Sequence, residues 1–500
     1  MQGSRNEWFC SLFFRNIDTK QDMRKIVFLW MLAAVTACSS AFAAQDKTDK
    51  AQKREAVKLH LKAHYKPYGF IRNYFTFDTR ESVSGTGDLF YYLPKDNAWN
   101  QTVEGTSVSG VKREDLNARS SFRFLALTTR VGLDIKGYQV GRTLFEGKVE
   151  ADFYAGLSGS TGVAQLRLRQ AFMTLAWDSL PMAGGKQQAR VSLLMGQAWH
   201  PMAADLCDAL SLNAGAPFGP FSRTPQVKLD ARLGNLFTLT GAAIWQMQYT
   251  SAGPDGPSAN YIKYGCTPEA YIGLSFHHES GVLLRAGADV LSISPRRSGE
   301  PLDAEGNPIL GTDEKPIKVN VNDRLTTVSP FLYLQYKHQG FSLKAKSVFA
   351  EAGEHMNLNG GYGVKAVNAD GSWEYTPTRN SSSWISMVYG GEVKGIHKLQ
   401  GILFGGYVYN FGTKEALCGE NGKVKGYWFS KNSFTNIRQM WRLSPALLWS
   451  IGKFQLGLEY EITSVQYGDS QSISLKNGLA ENDLHWVTNH RLQLMTKYNF

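Results

Sequence analysis

Gln165-Leu166-Arg167-Leu168-Arg169-Gln170 places two guanidiniums on alternate residues. In an extended strand such residues share a face and stand ~7 Å apart. Two forked cations at that spacing suit a carboxylate or phosphate, which each binds through paired N–H groups. Further cations recur at strand-like spacing: Arg72, Arg130, Lys148, Arg190, Lys228, Arg232, Arg285, Lys344, Lys346, Arg438 and Arg442. If they share one wall, they give a passing anion a series of transient partners. The competing reading is internal charge balance against Glu146, Glu150, Asp152, Asp230, Asp289, Glu459 and Glu461. Both are expected, with a positive surplus. The segment 200–224 carries Asp205, Asp208 and Arg223 among apolar residues, followed by a Gly/Pro stretch. It reads as a short helix in a long connection, either folded inward as a constriction or lying on the surface. Catalytic signatures are missing: there is no HExxH, GxSxG, P-loop or CxxC, and neither a metal site nor a cofactor is expected. His277-His278-Glu279 reads as a turn at a strand end.

The elements that must carry these residues are strands. Alternating segments bounded by turn residues occur near 66–79, 119–136, 142–156, 163–177, 189–199, 225–233, 236–250, 266–278, 282–293, 325–338, 341–351, 383–395, 398–412, 434–450, 453–467 and 485–500. Their charged faces are opposed by apolar ones: Val227, Leu229, Ala231 and Leu233 alternate with Lys228, Asp230 and Arg232. A charge against lipid costs roughly 2–4 kcal/mol near the midplane, so the charged faces must look into water. Arg123 and Arg130 fall on opposite faces of 119–136, which requires a bulge there or Arg123 near the headgroups. Connections alternate between tight turns, such as Gly234-Asn235 and Ile451-Gly452, and long loops at 80–118, 200–224, 251–265, 294–324, 352–382, 413–433 and 468–484. One outer connection, 157–162, is short, and one turn, around Pro181 to Gln188, is longer. This ordering predicts an all-β fold: a sixteen-stranded antiparallel transmembrane barrel with its turns at the periplasm and its loops outside. Tyr68, Phe77, Trp177, Trp199, Trp441, Trp449, Tyr460, Trp486 and Tyr498 are expected in interfacial girdles. Phe500 is expected to close the last strand beside the first.

Composition agrees. After residue 45 no apolar run approaches the ~18–20 residues of a spanning helix, aromatics are 12%, and there are 49 glycines. Residues 1–43 read as an export signal: a basic Met23-Arg24-Lys25, an apolar Ile26 to Ala37, and Ala41-Phe42-Ala43 as cleavage site, with Met23 the better start. Val35-Thr36-Ala37-Cys38 offers a lipobox as the alternative. Removing these residues takes the formal charge from +11 to +9. No basic run or nucleic-acid motif accompanies that charge, which points to anionic solutes. Residues 44–65 form a short periplasmic segment, too small for a plug domain, and 66–500 the barrel. Of the three cysteines left, Cys207, Cys266 and Cys418, two could pair.

Tyr68-Gly69-Phe70-Ile71-Arg72, Gly147 to Tyr154, Leu166 to Phe172 and Gly196-Gln197-Ala198-Trp199, in that order, resemble the opening strands of DcaP-like porins. The resemblance is clearest over 66–200. It implies a homotrimer in outer-membrane lipid that passes small anionic solutes. Two other classes stay open: a barrel enzyme such as a protease or lipase, needing a Ser/His/Asp set at the outer rim, and a surface adhesion barrel using the loops at 80–118, 294–324 and 352–382.

Overall fold

The computed structural model describes residues 63–500 apart from 86–87, 102–109, 155–163, 182–187, 421–422 and 430–435. The signal segment, nearly all of 44–65, the short connection 157–162 and the turn after Pro181 lie outside the described residues. Sixteen strands form one closed antiparallel sheet. They are β1 (His64–Asp78), β2 (Ser121–Leu125 and Arg130–Val140), β3 (Thr143–Tyr154), β4 (Gln165–Pro181), β5 (Gln188–Trp199), β6 (Arg223–Leu233), β7 (Phe237–Ile244) and β8 (Glu269–His277). The second half comprises β9 (Val282–Ile293), β10 (Leu325–His338), β11 (Phe341–Glu351), β12 (Trp373–Lys394), β13 (His397–Thr413), β14 (Ile437–Ile451), β15 (Phe454–Tyr467) and β16 (His485–Asn499). Each strand pairs with its neighbour in sequence, and β1 closes on β16 from Phe70 opposite Asn499 to Asp78 opposite Arg491. Neighbouring strands thereby pair one another's backbone donors and acceptors, and closure is what lipid demands of a sheet. Among the described residues no helix is long and apolar enough to cross a membrane.

The alternation works as the residues dictate. In β10, Val328 and Leu332 stand outward with about half their surface open, while Thr327, Ser329, Phe331 and Tyr333 are buried within. Turns at one end are tight. Gly234 and Gly452 adopt left-handed φ of 58° and 54°, which a side chain would resist. Aromatics form outward belts near both ends: Phe77, Trp441 and Trp486 at the loop end, Trp449, Tyr498 and Phe500 at the turn end. Two expected girdle residues turn inward. Tyr68 donates to Glu150 Oε2 at 3.1 Å, and Trp199 packs edge-on against Phe221 at 5.1 Å.

Four further departures follow. The strand 119–136 breaks at 126–129, where the Thr129 amide bonds back to Ala126. That step resets the alternation, so Arg123 and Arg130 need no opposite faces, and Arg123 pairs with Asp88. β7 stops at Ile244, short of the expected 250. β12 begins ten residues earlier than expected, at Trp373, because 373–377 pairs with Gly361–Val367 beyond β11. The three cysteines are unpaired.

Two long connections fill the interior, one of them on the inward alternative expected for it. Residues 200–222 fold into the barrel as turns and bends, with no helix. Met202, Ala203 and Phe218 are completely buried there. The loop 80–118, expected outside, also enters: its hairpin Ser82–Gly85 with Phe90–Pro94 buries Leu89, Tyr91 and Tyr92. A 3-10 turn, Gly353–Met356, follows them inward.

Candidate functional site

The lumenal cations separate into two groups. Those on β9, β11 and β14 grip the inserted loops. Arg285 Nη1 donates to Asp205 Oδ2 at 2.5 Å, Lys344 Nζ to Asp208 Oδ1 at 2.8 Å, and Lys346 Nζ to the Met202 carbonyl at 2.6 Å. Arg442 donates to the carbonyls of Ala216 at 3.1 Å and Tyr92 at 2.7 Å. Lys346 and Arg442 keep only 1% of their side-chain surface open. For Lys346 and Arg442 burial overturns the expectation that they line an aqueous pore, and they are loop anchors; Arg285 and Lys344, with 21% and 15% of their side chains open, hold Asp205 and Asp208 of the same loop. Leu210 and Ser211 complete the seat, since both amides donate to the Glu459 carboxylate, at 2.8 and 3.0 Å, and Tyr74 Oη donates to the Leu210 carbonyl at 2.8 Å. Arg438 departs too. Pairing between β14 and β15 slips between Ile437 and Gln439, and Arg438 lies beside Asn359, Gly360 and Asn380, away from the row of Arg442.

The second group keeps contact with water. Arg130 and Arg167 have 19% and 29% of their side-chain surface open. Arg72 donates from Nε to Thr128 Oγ1 at 2.9 Å and lies over the rings of Phe70 and Tyr74. Lys148 bridges Asp134 and the Tyr68 hydroxyl, each at 2.8 Å. Nearer the turn end, Lys228 pairs with Asp230 at 2.8 Å and Arg190 with Asp178 at 3.1 Å, while Arg232 is exposed.

At the loop end of this wall the Arg167–Arg169 pair acquires a third guanidinium. Arg167 and Arg169 share a face by alternation, with Leu168 outward between them, and a bulge opposite Glu150 and Ala151 brings Gln170 inward beside them. Arg167 forms a two-pronged pair with Asp152 at 2.9 and 3.0 Å, and Arg169 binds Glu150 at 2.8 Å and Asp152 at 2.5 Å. Arg223, expected on the constriction loop, is the first residue of β6 directly after that loop, stacked over Trp199 at 5.0 Å and held by Gln248 Oε1 at 3.1 Å. The three arginines, with Gln197, Tyr154, Tyr249 and Phe221, line a cavity of about 250 Å³. Arg223 is buried, and its Nη1 has no hydrogen-bond partner among the described residues. A buried cationic donor without an acceptor is costly, and an anion entering the cavity would satisfy it. Sequence reading found Arg167 and Arg169 from their spacing. Trp199, expected in the girdle, Phe221 and Tyr249 were not expected at this site; their only signal was aromatics beside the loops 200–224 and 251–265.

Another group was not foreseen. His200 at the start of the inserted loop, Glu269 on β8, Asp289 on β9 and His355 in the 3-10 turn are each buried to within 2%. Burial alone would lower the His355 pKa, but Glu269 and Asp289 outweigh it and hold the ring up at about 9. On the inserted loop, burial pushes the Cys207 thiol far above its ordinary range, leaving it inert.

No protein-family model matches the chain, and no curated protein sequence does. Solved structures do. The outer-membrane channel DcaP of Acinetobacter baumannii is 17% identical, with a TM-score of 0.56 over 90% of this chain and 99% of that one. An anion-selective porin from Comamonas acidovorans is 7% identical, with a TM-score of 0.46 over 88% of this chain and all of that one. The fold is therefore that of the DcaP barrel, as the opening strands suggested, and an apolar closed barrel of this kind resides in the bacterial outer membrane.

Proposed function

We propose that this chain is a passive outer-membrane channel favouring small anions, whose narrow zone holds Arg167, Arg169 and Arg223. One observation carries the reading: the buried, partnerless Nη1 of Arg223 in a cavity it shares with two other guanidiniums. Nearby, Arg72, Arg130 and Lys497 add positive charge to the wall, Arg130 sharing Glu150, at 3.6 Å, with Arg169. The loop anchors set the bore, and the open wall of β1–β7 sets the field in it. Aromatic walls (Tyr154, Phe221, Tyr249) favour a solute with a flat apolar body beside its carboxylate or phosphate. Assembly as a homotrimer belongs to this reading and rests on the resemblance in the opening strands.

Reversal potentials across planar bilayers under a potassium chloride gradient test it. Anion preference is expected in the parent, reduced in Arg223→Met and more so when Arg167 is replaced as well. Cation selectivity in the parent, or no channel at all, would refute the proposal. Hydrolysis of lipid or peptide by the purified protein would favour the enzyme class instead.

A further inference from the structure

His200, Glu269, Asp289 and His355 come from four segments and meet at the loop end of β8 and β9. His200 Nε2 stands 2.5 Å from Glu269 Oε1 and 3.7 Å from Asp289 Oδ1. His355 Nε2 stands 3.4 Å from Asp289 Oδ2 and 3.6 Å from Glu269 Oε1. Bonds of about 2.0–2.2 Å to a tetrahedral ion would hold donor atoms roughly 3.3–3.6 Å apart, close to the 3.7 Å between His200 Nε2 and Asp289 Oδ1, while the 2.5 Å contact of His200 with Glu269 Oε1 is a hydrogen bond that an ion would replace. A second observation points the same way. Asp289 Oδ1 is buried with no hydrogen-bond partner among the described residues, and it faces His200.

We propose that His200 Nε2, Glu269 and Asp289 bind a divalent transition-metal ion of the zinc class, with His355 packed beside them. The ligand atoms of the first three lie within 4.8 Å of one another. Two imidazoles beside two carboxylates match the donor preference of zinc, cobalt or nickel, whereas calcium and magnesium take oxygen donors.

The site is coupled to the inserted loop by hydrogen-bond logic. His200 Nδ1 accepts the Met202 amide at 3.1 Å. The neutral ring therefore carries its proton on Nε2 and donates it to Glu269. A metal at Nε2 moves that proton to Nδ1, where it opposes the Met202 N–H. Ion binding and the present seat of Met202 exclude each other, so occupancy would shift the start of the loop that narrows the barrel.

Cobalt(II) is the probe. Full-length protein in detergent, stripped with a chelator and dialysed against cobalt(II), is expected to take up a saturable single equivalent with visible ligand-field absorption, which zinc displaces. His200→Gln and Asp289→Asn should each abolish the band while the barrel still shifts mobility on heating in dodecyl sulfate gels. If one variant fails that mobility test, the other decides alone. Absence of saturable cobalt uptake by the stripped parent, or an unchanged band in a folded variant, overturns the proposal.

Discussion

Glu459→Leu would unseat the inserted loop. Leucine fills the carboxylate's space without an acceptor, leaving the Leu210 and Ser211 amides unpaired at a buried position. Each orphaned amide costs about 1–3 kcal/mol, so the gross penalty is about 2–6 kcal/mol. Removing a buried carboxylate also relieves its own desolvation, which places the net effect near the lower bound. About 2 kcal/mol changes the ratio of seated to withdrawn loop roughly 30-fold. Glu459→Gln keeps one acceptor oxygen and should lose about half as much. Two assays read the change. Chymotrypsin added to outer-membrane vesicles should cut at Phe218 or Phe221 in the leucine variant and spare the parent, where both rings are buried. Single-channel conductance should rise in parallel. A leucine variant that stays folded, resists chymotrypsin and conducts like the parent would refute the claim that this carboxylate seats the loop.

Other substitutions probe the same architecture. A Cβ at Gly406 would collide with the Phe218 ring, so Gly406→Ala should cost about 1–3 kcal/mol in urea unfolding, and no loss would mean the loop is loosely held. Gly69→Leu removes the seat of the Phe500 ring, which lies over that glycine; assembly into vesicles should fall, and normal yield would deny the ring a part in closure. Asp78→Ala leaves Arg491 buried without the two 2.8 Å bonds it now makes. A loss of about 3–5 kcal/mol is expected by denaturant titration, and a change below 1 kcal/mol would contradict it.

The strands were legible because a barrel writes itself locally: period-2 alternation, a turn glycine, then alternation again. Fifteen of the sixteen run unbroken; the exception, β2, breaks where the alternation of Arg123 and Arg130 already conflicted. The interior was not legible for the opposite reason. Phe90-Tyr91-Tyr92-Leu93-Pro94 is an apolar run in a long loop, and it could have signalled insertion, but its partners Arg442, Arg491 and Tyr467 lie some 350 to 400 residues away. The helix expected after His200 fails for a related cause. Its backbone groups are taken by Lys346, Glu459 and Tyr74, which replace the helical hydrogen bonds. Likewise the cation rows were readable as rows, yet whether a lysine met water or a loop carbonyl depended on the remote loop.

The bonds from the wall to the inserted loops have a mechanical consequence. A cylinder one sheet thick resists stretching along its hydrogen bonds but bends readily, and could flatten into an oval. Here Tyr74 of β1, Lys346 of β11, Arg442 of β14 and Glu459 of β15 all fasten to residues 202–216. These side chains are struts across the cross-section. They hold its shape, so lateral pressure from the bilayer would deform the lumen only by straining several buried polar bonds at once.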